Sequence, residues 1–184
     1  MQKIVVGITG ASGAIYGIRL LQVLQEMGVE THLVVSPTGQ KVIKFETGYD
    51  RAGLQSLAHW HDVADLFAPI ASGSFLATAM VIAPCSMHSL AGVAQGITDN
   101  LLLRSADVML KEGKPLILVP REAPLNKIHV GNMLKAIDAG AKLVPAAPAF
   151  YHRPQTVQDL VDFVVGKVLD SLGIEHTLFR RWGT

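Results

Sequence analysis

The sequence predicts an α/β fold built on a doubly wound parallel sheet, and three observations carry that prediction. Short β-branched runs alternate with segments of helical period along the whole chain. The runs, such as Ile4-Val5-Val6-Gly7-Ile8, are almost continuously apolar, as strands buried on both faces are. Hydrophobic residues make up 49% of the 184 and charged residues 17%, with a mean hydropathy of +0.35. That is too apolar for a disordered chain and rather apolar for an isolated soluble monomer. A sheet covered on both faces, surface covered by other subunits, or both would account for it.

The elements follow in order. Ile4 to Ile8 reads as a central strand ending in Thr9-Gly10. From Ala14 the period changes, with Ile15, Ile18, Leu21, Leu24 and Met27 at helical spacing and Gly28 as a stop. Thr31 to Val35 is the second strand, followed by Ser36-Pro37-Thr38 and a short helix through Glu46, completing a βαβ unit. The stretch from Thr47 to Phe67 has no clear period and reads as possible short helices. Ala71 to Ser74 is a small-residue loop, Ala79 to Ala83 a strand closed by Pro84-Cys85-Ser86, and Ser89 to Ala94 a helix. Leu101 to Leu110 reads as a helix capped by Asp99 or Asn100, and Leu116 to Val119 as a strand. Asn132 to Ala139 is helical, Lys142 to Val144 a strand, and Pro145 to Pro154 a Pro-rich loop. The last helix runs from about Val157 to Leu172, with Val157, Leu160, Val161, Val164, Val168 and Leu172 on one side. No internal repeat or linker interrupts this pattern, so residues 1–184 read as a single domain.

Composition excludes several classes of function. Net charge is +1 with a pI near 7.9 and no basic block, which leaves no electrostatic footprint for nucleic acid. The apolar stretch from Phe75 to Cys85 is too short to span a membrane, and a strand is read directly after Met1-Gln2-Lys3, so no signal peptide is expected. A cytoplasmic protein is the expectation. Cys85 is the single cysteine, and the seven histidines lack the spacing of a metal site, so no metal is expected.

Three loops after strands carry the chemistry. Gly10-Ala11-Ser12-Gly13 lies between a strand and a helix, where backbone N–H groups, the positive helix end and the Ser12 hydroxyl can close around an anion. The third glycine of a dinucleotide fingerprint is absent, and Ser36 stands where an NAD enzyme carries an acid; a mononucleotide phosphate fits better. The fold is thus expected to be Rossmann-like, of flavodoxin-like form. Pro84-Cys85-Ser86-Met87-His88-Ser89 opens another helix and suits an anion or a flavin carbonyl edge, with plain N-capping by Ser86 as the alternative. Cys85 reads as a packed small residue rather than a nucleophile. In Pro120-Arg121-Glu122-Ala123-Pro124, Arg121 can clamp a phosphate and Glu122 can act as general acid or base. Arg104 and Lys111, seven apart on one helix, Tyr151 and Lys167 are weaker candidates taken singly, since such residues are usually solvated or packed.

Assembled, these segments resemble the UbiX-type flavin prenyltransferases over essentially the whole chain. The resemblance rests on Thr9-Gly10-Ala11-Ser12-Gly13-Ala14, Ala71-Ser72-Gly73-Ser74, Pro84-Cys85-Ser86, Arg104-Ser105-Ala106-Asp107-Val108 and Leu118 to Pro124. Asn132-Met133-Leu134, Pro148 to His152 and Arg181-Trp182-Gly183 complete it. It implies transfer of a dimethylallyl group from dimethylallyl phosphate to reduced FMN, at N5 and C6, giving prenylated FMN, the cofactor of UbiD-type decarboxylases. It also implies a metal-independent reaction in a homo-dodecamer with active sites shared between subunits. Carried over, FMN would be bound by Gly10, Ala11, Ser12, Ser36, Ser86, Met87, His88, Ser89 and Arg121. The prenyl donor would be bound by Tyr151 and Lys167, the latter in place of a common Arg. Catalysis would fall to Ser12, Glu46, Arg104, Lys111 and Glu122. These residue types suit a reaction that must hold a departing phosphate and steady an allylic cation.

Two other functions compete with this one. A flavin-dependent cysteine decarboxylase would carry a Pro-Ala-Ser-Ala-Asn-Thr-like loop, whereas Ala71-Ser72-Gly73-Ser74 has no Asn. A non-catalytic FMN carrier or decarboxylase subunit would not need Glu122, Tyr151 and Lys167 together.

Overall fold

Six parallel strands form one sheet in the order β3-β2-β1-β4-β5-β6 in the computed structural model, which describes residues 2–183. The strands are β1 (Lys3–Ile8), β2 (Glu30–Val35), β3 (His59–His61), β4 (Ala79–Cys85), β5 (Leu116–Pro120) and β6 (Lys142–Leu143). The helices are α1 (Ala14–Glu26), α2 (Pro37–Thr47), α3 (Arg51–Gln55), α4 (Met87–Gln95), α5 (Leu101–Lys111), α6 (Lys127–Asp138) and α7 (Val157–Leu172). From β1 the chain winds outward to β2 and β3, then returns to place β4 on the other side of β1. The order reverses there, so the loops after β1 and β4 flank a topological switch point, where open α/β sheets bind ligands. This is the doubly wound, Rossmann-like sheet the sequence predicts.

The continuous apolar runs are explained by a core on each face. Along β1, Ile4, Val6 and Ile8 face one cluster, shared with α1 and α7, while Val5 faces the other, shared with α5. β4 alternates likewise from Met80 to Ala83, with Val81 and Ala83 on the first face and Met80 and Ile82 on the second, until an irregularity in its register after Ile82 turns Cys85 to the second face. Ile4, Ile8, Leu21 and Leu24 are fully buried, each contributing about 1.5–3 kcal/mol relative to exposure. Strand ends fixed this firmly give the loops beyond them defined starting points.

Three elements depart from the expectation. His59-Trp60-His61 is an edge strand paired with β2, His32 opposite His59, rather than part of a helix. α6 begins at Lys127, five residues earlier than expected, because Asn126 and His129 form a reciprocal capping box. Val157 opens α7 but is 71% exposed, so it does not share the inward stripe of Val161, Val164 and Val168. Among the described residues, no helix is long and apolar enough to cross a membrane.

Candidate active site

The site is assembled at the carboxyl ends of β1, β2, β4 and β5. Thr9, at the end of β1, is buried and stitches two loops together: its Oγ1 donates to the Pro84 carbonyl (2.7 Å) and accepts from the Ser86 N–H (2.8 Å). Beside this stitch opens a cleft of about 510 Å³, lined by Gly10, Ser36, Pro37, Thr38, Val63, Ala64, Ser86, His88, Ser89, Asp99, Asn100, Leu102 and Leu103, a size typical of small-molecule sites. Gly10 is required there, since a Cβ would lie 2.5 Å from the Thr38 methyl.

Three helices begin at this cleft. Ser36 caps α2 by accepting the Gly39 N–H (3.0 Å), Ser86 caps α4 by accepting the Ser89 N–H (3.3 Å), and Asn100 caps α5 by accepting the Leu103 N–H (3.0 Å). Their positive ends converge on one cavity, which favours an anionic ligand such as a mononucleotide phosphate. Ser36 and Ser86 are therefore N-caps and cleft walls at once. Ser89 is buried beneath Ser86, His88 is exposed on the rim, and Met87 packs partly into the core.

The α1 terminus differs from the sequence expectation. Gly13 is its N-cap, at φ +100° and without a capping side chain. Its N–H and that of Ala14 are not open to a phosphate, because both donate to Glu46 Oε2 from α2, at 2.9 and 3.0 Å. Burial acts to raise the Glu46 pKa, but hydrogen bonds from Ser12, Gly13 and Ala14, with the nearby Arg121 charge, outweigh it and hold the carboxyl below its usual range. Glu46 is thus a resident anion. Arg121 closes the cluster by donating from Nε to the Ser12 carbonyl (3.1 Å). Burial pushes the Tyr16 hydroxyl upward, partly offset by Arg121. Ala11 is buried, and Ser12 exposes its side chain between Glu46 and Arg121.

The remaining predicted residues lie elsewhere on the chain. Arg104 donates to the Ala71 carbonyl (3.0 Å) and pairs with Asp107 (2.9 Å), while Lys111 pairs with Glu112 (2.6 Å). Arg104 thus helps to hold the Ala71–Ser74 loop. Glu122 is exposed, its Oε1 accepting only the N–H of Ala123 (3.0 Å) among the described residues. Tyr151 sits edge-on to Trp182 at 5.3 Å, and Lys167 pairs with Asp170 at 3.3 Å. Among the described residues, no hydrogen bond or ion pair joins Arg104, Lys111, Tyr151 or Lys167 to the Ser12 cluster. No group of three or more His, Cys, Asp or Glu among them is arranged to hold a metal ion. Sequence reading missed Thr38, Asp99 and Leu103 as cleft walls; a helix N-cap beside a strand end was the available signal.

The comparisons agree with this geometry. The Flavoprotein family model matches residues 1–169. A flavin prenyltransferase UbiX from Alkalihalophilus pseudofirmus is 51% identical, covering 97% of this chain and 94% of its own. A crystal structure of AnUbiX (PadA1) with FMN and dimethylallyl pyrophosphate superposes at TM-score 0.97, with 45% identity over 100% of this chain and 98% of that one. A dodecameric FMN-dependent Ubix-like decarboxylase from Escherichia coli O157:H7 superposes at 0.96, with 50% identity over 100% of both chains. The cleft at the switch point, the caps that converge on it and these likenesses leave one placement: the chain belongs to the Flavoprotein family and, within it, to the UbiX-type flavin prenyltransferases.

Proposed function

We propose that this chain is a metal-independent prenyltransferase that joins the dimethylallyl group of a dimethylallyl phosphate to reduced FMN, at N5 and C6, and releases prenylated FMN. The observation that carries the reading is the cleft where the N-termini of α2, α4 and α5 converge beside the Ser12–Glu46–Arg121 cluster. FMN would be held by Gly10, Ala11, Ser12, Ser36, Ser86, Met87, His88, Ser89 and Arg121. The donor's C–O bond breaks with its electron pair leaving on phosphate, so cations are needed at that oxygen and an acceptor at the flavin proton. Arg121, Lys111 and Lys167 supply the charge, Tyr151 a hydroxyl donor, and Arg104 holds the Ala71–Ser74 loop. Glu46, already an anion, suits proton acceptance, and Glu122 suits proton relay.

Completion of this set by neighbouring copies favours a homo-dodecamer, as in the Escherichia coli relative. A UbiD-type decarboxylase is the proposed recipient of the product. A cytoplasmic setting goes with the reading, because both substrates are charged phosphate esters that do not cross membranes unaided. The test is anaerobic incubation with reduced FMN and dimethylallyl monophosphate, with the pyrophosphate in a parallel arm, followed by mass analysis of the flavin. Gain of a C5 unit is expected. FMN bound tightly but unaltered with both donors would refute transfer and leave a flavin carrier.

A further inference from the structure

Tyr151 and Lys167, the two residues proposed for the donor phosphate, come from the Pro-rich loop and from α7, and a third segment connects them. Beyond α7 the chain turns at Gly173 and folds back on the helix it has just left. Gly166 makes that return possible: a Cβ there would lie 2.5 Å from the Phe179 ring and 2.6 Å from the His176 ring. The returning segment ends on Asp170. Its Oδ1 meets Arg181 Nη2 at 2.8 Å and His176 Nε2 at 3.2 Å, while Oδ2 meets Arg181 Nη1 at 3.3 Å and Lys167 Nζ at 3.3 Å. The arginine is therefore gripped by both oxygens, the geometry that fixes direction as well as distance. His176 is wholly buried at the side chain, so the carboxylate is braced from beneath.

The next residue, Trp182, stands edge-on to the Tyr151 ring at 5.3 Å and 86°. One carboxylate thus fixes the ammonium of Lys167 and, through Arg181, the indole that meets Tyr151. We propose that Asp170 is a positioning residue for the donor subsite, holding Lys167 and the Arg181–Trp182 tail so that the dimethylallyl phosphate meets a preformed pair of phosphate ligands. The carboxyl is suited to this: burial acts to raise its pKa, but hydrogen bonds from Arg181 and Lys167 outweigh that and keep it ionised. Lys167 alone would sample many rotamers, and a fixed partner removes much of that freedom before the donor arrives.

This inference rests on the proposed function, and its test separates the two. Asp170→Asn keeps shape and removes charge. In a Trp60→Phe background Trp182 is the one indole left, because the chain has two tryptophans. Calorimetry with dimethylallyl monophosphate is expected to show about tenfold weaker binding in D170N, with FMN affinity unchanged and Trp182 emission shifted as the indole leaves Tyr151. D170E, which keeps the charge, is expected to recover most of the affinity. Unchanged donor affinity, unchanged Trp182 emission, or D170E as impaired as D170N would each overturn the proposal. If D170N does not fold, Arg181→Met decides, with the same emission shift and weaker donor binding expected. A wild type that binds the donor yet gives no C5 adduct sinks the proposed reaction alone; one that binds no donor sinks both.

Discussion

Replacing Glu46 by alanine removes the acceptor that the Gly13 and Ala14 N–H groups share, at 2.9 and 3.0 Å. Gly13 has no side chain to substitute for it, and the two donors pass to water. Losing an N-cap of this kind costs about 0.5–2 kcal/mol, and losing an anion at a positive helix end costs about 0.3–1 kcal/mol. The two overlap, since one carboxylate supplies both, so about 1–2 kcal/mol is expected for E46A. In a chain of this length 1 kcal/mol moves Tm by about 2–4 °C, giving a fall of about 2–8 °C. E46Q keeps a neutral acceptor and is expected to lose about half as much.

The pH dependence identifies the source. Because the folded carboxyl titrates below the ordinary glutamate value, the stabilisation is complete above that value and is lost as pH falls through the lowered one. The melting gap between wild type and E46Q should therefore close in acid. A gap that persists there, or E46A melting within 1 °C of wild type at pH 7, would refute the capping argument. Turnover gives a second reading: in the proposed role of proton acceptor, Glu46 would be worth about 10²–10⁴ in rate, so E46Q should lose about a hundredfold or more at saturating substrates.

Three further predictions concern separate parts of the molecule. Glu122→Gln should slow turnover by about a hundredfold with FMN binding unchanged, because the exposed carboxylate bonds only its neighbour's N–H among the described residues; titration with FMN alongside initial rates checks both halves. Burial pushes the Cys85 thiol up to about 12, so native protein at pH 8 should react with iodoacetamide at least about a hundredfold more slowly than unfolded protein, and comparable rates would contradict its packing. Burial also lowers the pKa of His32 and of His61, and the charge of His32 adds to the effect on His61. Both shifts favour the neutral form, so stability should be complete above the ordinary histidine value and fall as pH drops through the lowered ones; His32→Gln should flatten that limb in a urea series from pH 8 to 5.

How legible the site was in the sequence depended on how local its determinants are. β1, β4 and β5 were readable because strands buried on both faces must be apolar throughout, and α7 because Leu160, Val161, Val164, Val168 and Leu172 keep a strong helical period. β3 was not, since an edge strand of three residues has neither length nor a second buried face, and its register comes from β2. Ser36 and Ser86 were found as polar residues after strands. Their common role, as caps of helices that meet at one cleft, depends on sheet order and lies beyond any local pattern. Glu46 shows the same limit: nothing near residue 46 states that its carboxylate will close the terminus of a helix 32 residues earlier. Family resemblance named it, while the fold shows what it holds.

The placement of the proposed reactive residues argues for a site completed between copies. On one chain the anion-binding caps and the Ser12 cluster lie at the switch point, while Lys167 and Tyr151 are tied to the tail behind α7. Separating a phosphate from an allylic carbon needs those groups around one point. The surface beside each half is what an interface would cover. Phe45, next to Glu46, is 92% exposed, and Phe150, next to Tyr151, is 68% exposed. Ile128, at the start of α6 and a few residues past Glu122, is 73% exposed. These exposed apolar side chains, each next to or near a proposed site residue in sequence, are surface that the proposed assembly would cover. Burying them against neighbouring copies would shield the allylic cation from water in the same step that brings the phosphate ligands to the flavin. Assembly and catalysis would then draw on the same contacts, and the high apolar content of the sequence would follow from both.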